Sequence, residues 1–278
     1  RLVRLLLNPS HTLCYANAAL QCLAWVTICC SQVIDAAWKH NFGLIDALTT
    51  WTPVPLTLYD FAPFQDLFNG GDWGLREKDR QNDLNDFTSH ILMLMAPQFV
   101  NNFWKTQPAL LPDFEGTMLR DEKGHALQPI VLPLNDTTLD CCPFSDLIHK
   151  WHDPSGLCRS FVEAPDVCCF TLDRHIPPYN IKNQQRVDLQ DGQLLLPYFT
   201  AESEIGWKNY HIVAVAFHIG RNPASGHWRA ALHHKSRWFV YDDGRLPEQM
   251  TQLTQEIQRQ ISQVWLLACD RTPMADAA

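Results

Sequence analysis

The stretch from Tyr210 to Asp242 constrains the fold more than any other part of the chain. Tyr210-His211-Ile212-Val213-Ala214-Val215-Ala216-Phe217-His218 is an apolar run of strand length and reads as a buried strand. Ile219 to Gly226 reads as a loop, punctuated by Gly220, Pro223 and Gly226. His227 to His234 forms a second strand, Lys235-Ser236 the turn, and Arg237 to Asp242 the returning strand. A lone hairpin is marginal in water, so this ribbon needs a larger sheet to join. Folding it about its turn brings Asp242 to the level of His227, where cross-strand neighbours lie about 4.5–5.5 Å apart.

The rest of the chain divides by periodicity. Tyr15 to about Trp38 reads as helix, with an interruption near Cys29-Cys30-Ser31, apolar on most of its circumference and hence a buried central helix. Phe42 to Leu48 extends the helical region, and Thr52-Pro53-Val54-Pro55 breaks it. Phe61 to Phe68 is a short amphipathic segment. In Gln81 to Leu92, Leu84, Phe87, Ile91 and Leu92 recur at helical spacing. Ile130 to Leu134 and Val167 to Leu172 read as strands, with Phe144 to Trp151 helical between them. Pro247 opens a Gln-rich amphipathic helix bearing Met250, Leu253, Ile257 and Ile261, and Val264 to Cys269 is a closing strand. A mainly helical first half and a mainly β second half predict an α+β enzyme with a cleft between its parts.

With 278 residues, 46% of them hydrophobic, the chain has ample core. A formal net charge of −8 and no basic stripe argue against nucleic-acid binding. The apolar run from Ala16 to Cys30 is interrupted by Asn17, Gln21 and Thr27, and is too short and polar to cross a membrane. Ten cysteines, three adjacent pairs among them, show no disulfide spacing and no C-x-x-C pair. That pattern predicts a reducing, cytoplasmic or nuclear setting. No signal peptide is visible, and the start at Arg1 reads as a boundary within a longer polypeptide.

A polar loop, Asn8-Pro9-Ser10-His11-Thr12-Leu13, runs into Cys14 at the head of the first helix. Ser10 or Thr12 is expected to cap that helix. A thiol in the first turn faces unpaired N–H groups and the positive helix end, which favour the thiolate and lower its pKa. The alternative is a small buried core cysteine. A cysteine nucleophile needs a base, and the base needs an orienting group. His11, His211, His218, His233 and His234 compete for the role of base. His227 is favoured because it opens a strand just after Ser225-Gly226.

These stretches together resemble the ubiquitin-specific proteases, papain-like cysteine deubiquitinases. Cys14-Tyr15-Ala16-Asn17 with Leu20-Gln21-Cys22-Leu23 resembles the family's Cys box. Gln81-Asn82-Asp83-Leu84-Asn85-Asp86-Phe87 resembles its Gln-Gln-Asp-Ala-His-Glu-Phe segment, and Leu172-Asp173-Arg174-His175 its Leu-Lys-Arg-Phe strand. Tyr210 through Gly220, then Gly226-His227-Trp228, Trp238 and Asp242-Asp243, resembles the His box. Val264 to Arg271 resembles the closing strand. The resemblance implies one catalytic domain over 1–278, with a helical thumb over about 1–110 and fingers and a β-rich palm over about 111–278. It implies Cys14 as nucleophile, His227 as base and then acid, Asp242 as its orienting carboxylate and Asp243 as polar support. It implies that Asp83, with Gln81, Trp228, His218 and Gly226 nearby, meets the C-terminal tail of ubiquitin.

The chain also departs from that pattern. Family members carry Asn five residues before the cysteine, donating to the oxyanion; here that position is Pro9, which has no N–H, and Asn8 lies one residue further away. Leu13 replaces Thr. Cys141-Cys142, Cys158 and Cys168-Cys169 lack the zinc spacing of the family's fingers, and Arg120 to Leu134 leaves room for only a short hairpin. Shortened fingers without zinc, and no cofactor, are therefore expected. Two alternatives to a deubiquitinase stand: an isopeptidase for another ubiquitin-like modifier, and a ubiquitin-binding pseudo-enzyme.

Overall fold

The computed structural model describes residues 2–30, 42–50, 52–69, 73, 81–95, 105–110, 125–126, 129–134, 139–153, 157–176, 181–189, 194–202, 204–222 and 225–269. Helix α1 (Cys14–Cys29) is Ala- and Leu-rich with no Gly or Pro, which favours helix throughout. All of it but Ile28 is buried. It packs against the sheet on one side and against α2 (Phe42–Thr49) and α4 (Leu84–Met95) on the other. The Trp25 indole N–H donates to the carbonyl of His233 at 3.1 Å, tying the helix to the ribbon. Between α2 and α4 lies α3 (Ala62–Asn69). Phe87 of α4 meets Tyr15 of α1 edge-on, ring centroids 5.4 Å apart, and Trp73 at 5.2 Å. These aromatic contacts hold α4 against the first turn of α1.

The expected caps of α1 are not used. Ser10 and Thr12 spend their hydroxyls on each other at 2.8 Å, and Leu13 holds the cap position with no side-chain cap bond. Asn8 takes over instead, its Oδ1 accepting from the Leu13 N–H at 3.0 Å. Helix α1 ends at Cys29, at the interruption expected near Cys29-Cys30-Ser31, and residues 31–41 fall outside the described set.

The main sheet collects β1 (Lys105–Leu110), β2 (Ile130–Pro133), β3 (Leu157–Phe161), β4 (Val167–Asp173), β5 (Leu194–Phe199), β6 (Ile205–Asn222), β7 (Ser225–His234), β8 (Arg237–Tyr241), β9 (Glu248–Met250) and β10 (Ile261–Ala268). Neighbours run β9-β8-β7-β6-β5-β3-β1, while β10 joins β6 to β4 and β4 carries β2. Helix α5 (Phe144–His152) lies between β2 and β3 in the chain. At 18 residues, β6 pairs along its length with β5, β10 and β7 in turn. Lys235 and Ser236 both take positive φ, 46° and 61°, the conformation a two-residue hairpin turn requires.

Two segments differ from the sequence reading. Ile219 to Gly226 is mostly ribbon rather than loop: Ile219 pairs with His227 and Asn222 with Ser225 across an irregularity. The apolar alternation stops at His218, but backbone groups continue the ladder, which composition does not reveal. Glu248–Met250 is a strand on the open edge of β8, Trp238 opposite Met250, and only α6 (Gln255–Gln258) is helical. An unpaired sheet edge captured the first part of that segment, and Thr254 starts the helix late by accepting from the Ile257 N–H at 3.2 Å. The expected short hairpin over Arg120 to Leu134 lies partly outside the described residues.

Two long-range ties set the site. The backbone N–H groups of Leu2 and Val3 donate to the buried Tyr241 hydroxyl at 3.0 and 3.2 Å, and Leu6-Leu7 pairs in parallel with Leu56-Thr57. The loop before Cys14 is thereby held beside the end of β8. The buried Arg174 guanidinium donates to the carbonyls of Ile261, Asn183, Gln185 and Gln258, joining the end of β4 to the start of β10.

Candidate active site

Cys14 is the first residue of α1 and is fully buried. Its thiol lies within hydrogen-bonding reach of the backbone of Trp228, the residue after His227. Burial pushes the thiol pKa up; the Asp243 carboxylate adds to the rise, and the backbone groups of Trp228, Tyr15 and Cys14 oppose it without prevailing. The lowering expected from the helix terminus is therefore reversed, because desolvation of a thiolate outweighs a few N–H dipoles.

His227 is the third residue of β7 and is about one-third exposed. Its Nε2 lies 2.6 Å from Asp242 Oδ1, the contact anticipated from folding the hairpin about its turn. With Nε2 held by the carboxylate, Nδ1 is the ring nitrogen left for another partner. Asp242 does more than face this ring. Its Oδ2 accepts from Arg229 Nη2 at 2.7 Å and from Arg245 Nη1 at 3.2 Å.

Asp243 takes a left-handed φ of 48°, which Asp tolerates better than most residues, so consecutive carboxylates diverge. Its Oδ1 accepts from Asn17 Nδ2 at 2.8 Å and its Oδ2 from Asn8 Nδ2 at 3.1 Å. Asn17 stands one turn after Cys14 and also donates to the carbonyls of Leu6 and Leu7. Asn8 is thus committed at both ends, to Asp243 through Nδ2 and to the Leu13 N–H through Oδ1.

Gln81 bridges the two loops that flank the thiol. Its Oε1 accepts from the Gly226 N–H at 3.2 Å and its Nε2 donates to the His11 carbonyl at 3.4 Å. Gly226 is required by close approach: a Cβ there would overlap the carbonyl oxygen of Ile219 and His218 Nε2. The buried His218 ring sits 4.8 Å from the Trp228 ring.

Asp83, His218 and Trp228 line one cavity of about 370 Å³, along with Asp86, Asp173, Arg174 and Lys182. Asp83 also caps α4, its Oδ1 accepting from the Asn85 N–H at 2.8 Å and the Asp86 N–H at 3.2 Å. In the wall, Lys182 Nζ donates to the His218 carbonyl and to Gln260 Oε1, the latter at 2.6 Å. Burial, then Arg174, pulls the Lys182 amine down to about 7; burial, then Lys182 and His227, pulls His218 down to about 4. A ring so reluctant to charge is a poor choice as general base.

Among the described residues, one group of side chains has metal-ligand spacing: His227, Asp242 and Asp243, with ligand atoms within 4.8 Å of one another. Their oxygens are already met by Arg229, Arg245, Asn8 and Asn17, a setting that suits an imidazolium better than a metal ion. The cysteines described are all free thiols, and Cys168 and Cys169 are buried inside β4. No helix among the described residues is long and apolar enough to cross a membrane.

Sequence reasoning missed Asn17, Arg229, Arg245 and Lys182. Strand alternation puts Arg229 on the same face as His227, and helical spacing puts Asn17 beside Cys14, so both were within reach of periodicity. Lys182 carries no such signal, since its place in the wall follows from a crossing of distant segments.

Residues 60–266 match the family model described as ubiquitin carboxyl-terminal hydrolase. That stretch contains Gln81, His227 and Asp242, while Cys14 precedes it. No curated protein sequence matches the chain. Among solved structures, the SAGA Ubp8/Sgf11/Sus1/Sgf73 DUB module bound to ubiquitin aldehyde superposes with a TM-score of 0.65 at 13% identity, covering 95% of this chain and 69% of that one. A SAGA DUB module bound to monoubiquitin gives 0.65 at 12% identity, with the same coverage. An essential yeast splicing factor gives 0.62 at 13% identity, again covering 95% and 69%. At these identities the likeness is one of fold, and it is the papain-like α+β fold expected from the sequence.

Proposed function

Because the chain belongs to the ubiquitin carboxyl-terminal hydrolase family, we propose that it is a cysteine-dependent deubiquitinase, cleaving (iso)peptide bonds after the C-terminal Gly of ubiquitin through a thioester. The observation that supports this reading is the His227–Asp242 pair at 2.6 Å, His227 standing directly before Trp228, whose backbone lies within hydrogen-bonding reach of the Cys14 thiol. In this scheme His227 Nδ1 takes the thiol proton as the sulfur attacks the Gly carbonyl carbon. The resulting imidazolium is stabilised by Asp242 and then protonates the departing amine. Water, deprotonated by the same ring, hydrolyses the thioester. Because the resting thiol is held protonated by burial, the base does more here than in an enzyme with a preformed thiolate. The oxyanion is met by the backbone N–H of Cys14, while Asn8 serves chiefly to hold Asp243 and Leu13. The 370 Å³ cavity takes the modifier's basic tail along Asp83, with Trp228 and Gly226 walling a passage for residues without side chains. The whole of 1–278 acts as one catalytic unit in a reducing compartment.

A ubiquitin-binding protein without turnover is the second reading. The desolvated thiol and the committed Asn8 favour it. Ubiquitin carrying a C-terminal electrophile separates the two. The expected result is covalent capture that Cys14→Ala abolishes, with turnover in His227→Ala reduced at least about 100-fold. Capture that survives Cys14→Ala removes the assigned nucleophile; ubiquitin bound without capture or turnover establishes the second reading. A parallel panel of SUMO-type and Nedd8-like probes reports whether another modifier is preferred.

A further inference from the structure

Successive side chains of a strand point to opposite faces. Trp228 faces the 370 Å³ cavity that takes the modifier tail in the reading above. Its neighbours His227 and Arg229 face a second cavity, of about 410 Å³, bounded by Asn8, Pro9 and Arg245. The two cavities have no lining residue in common and meet at the His227–Trp228 peptide. If the acyl group arrives through the first, the leaving amine and its flanking polypeptide occupy the second.

Two carboxylates and two guanidiniums line this second cavity, unevenly engaged with one another. Asp243 engages one carboxylate oxygen with Asn17 and the other with Asn8. Asp242 gives Oδ1 to His227, leaving a single oxygen, Oδ2, to meet both Arg229 and Arg245. Arg229 is the closer partner at 2.7 Å and only 29% exposed. Arg245 is the looser one, at 3.2 Å and 79% exposed. An exposed ion pair of that kind is weak, and its guanidinium keeps further donors in hand. Arg245 is the loosely held cation on the leaving-group side, placed to exchange half of a shared carboxylate oxygen for a whole carboxylate.

We propose that Arg245 is a specificity residue that recognises an acidic side chain, Asp or Glu, next to the modified lysine in the polypeptide being released. This rests on the deubiquitinase reading, and the test distinguishes the two failures. Ubiquitin is joined by isopeptide bond to the lysine of a short peptide with Glu on both sides, or Gln on both sides. The kcat/KM of the full chain is measured for each, and the affinity of the Cys14→Ala protein for each. The Glu conjugate is expected to be favoured roughly threefold to fivefold in both measurements, the worth of one exposed ion pair. In Arg245→Gln the preference falls to unity. In Arg237→Gln, which removes the same charge at the opposite end of β8, the preference remains. Equal handling of the conjugates, a preference that persists in Arg245→Gln, or one lost equally in Arg237→Gln overturns the proposal alone. Binding of neither conjugate and cleavage of neither removes the deubiquitinase reading and this inference with it.

Discussion

Lys182 shows how one amine can carry a readable signature of the site's wall. Its folded pKa is near 7, against about 10.4 in an unfolded chain. Between those values the unfolded protein holds a proton that the folded protein lacks, so stability rises as pH rises through that window. The contribution is at most about 1.4 kcal/mol per pH unit. Urea midpoints measured between about pH 7 and pH 8, below the range where the unfolded chain's thiols ionise, should climb more steeply for the native chain than for Lys182→Met. A slope that Lys182→Met leaves unchanged would show that the amine is not the group responsible. At this scale the sequence was legible where local periodicity decides geometry. His227 and Asp242 could be brought together on paper because the hairpin register carries Asp242 to the level of Arg229, and His227 lies two residues along the same face. The direction of the Cys14 pKa shift could not, because helix position is local and burial is not. Asn8 likewise could be picked out as the nearest amide to the missing oxyanion donor, but its bonds to Asp243 and Leu13 depend on a loop held from residue 241.

Among the elements, the β6–β7 ribbon has the least room for change. Gly226 packs against His218 and Ile219 so closely that any side chain must push the ribbon apart. Gly226→Ala is expected to lower stability by about 1–3 kcal/mol, the usual cost of overpacking, and to reduce turnover further by displacing His227. Thermal unfolding checks the first effect, and turnover below the unfolding temperature checks the second. Wild-type stability and activity in that variant would mean the ribbon yields easily. This element also marks where sequence reading stopped. The strands flanking Ile219 to Gly226 were plain from their apolar runs, yet the ladder through Asn222 and Ser225 is made of backbone alone. The segment after Pro247 carried a helical pattern that lost to an open sheet edge, a tertiary competition that no local window contains.

For the molecule as a whole, charge sets how partners arrive. The net charge of −8 is echoed at the 370 Å³ cavity, where Asp83, Asp86 and Asp173 outnumber Arg174 and Lys182 on the lining. On the proposed reading, association with a basic tail there is electrostatically assisted and screened by salt. Raising ionic strength from about 0.05 to 0.5 M shrinks the screening length roughly threefold, and kcat/KM for a ubiquitin substrate should fall several-fold, mainly through KM. Indifference to salt would count against the acidic lining as the entry surface. The α+β class was legible from the division of periodicities alone, because helices and strands occupy different stretches of the chain. The branching of β6 onto three partners was not, since strand order is chosen by packing among segments far apart in sequence.

The bonds from Asn8 and Asn17 to Asp243 carry a consequence for biosynthesis. The sulfur leaves the ribosome early, the ribbon that completes its surroundings very late. Until the ribbon docks, the amides near the front of the chain have no carboxylate to grip and the thiol has no acid–base companion. On the proposed reading, a nascent chain is therefore chemically silent toward ubiquitin until the closing strands dock.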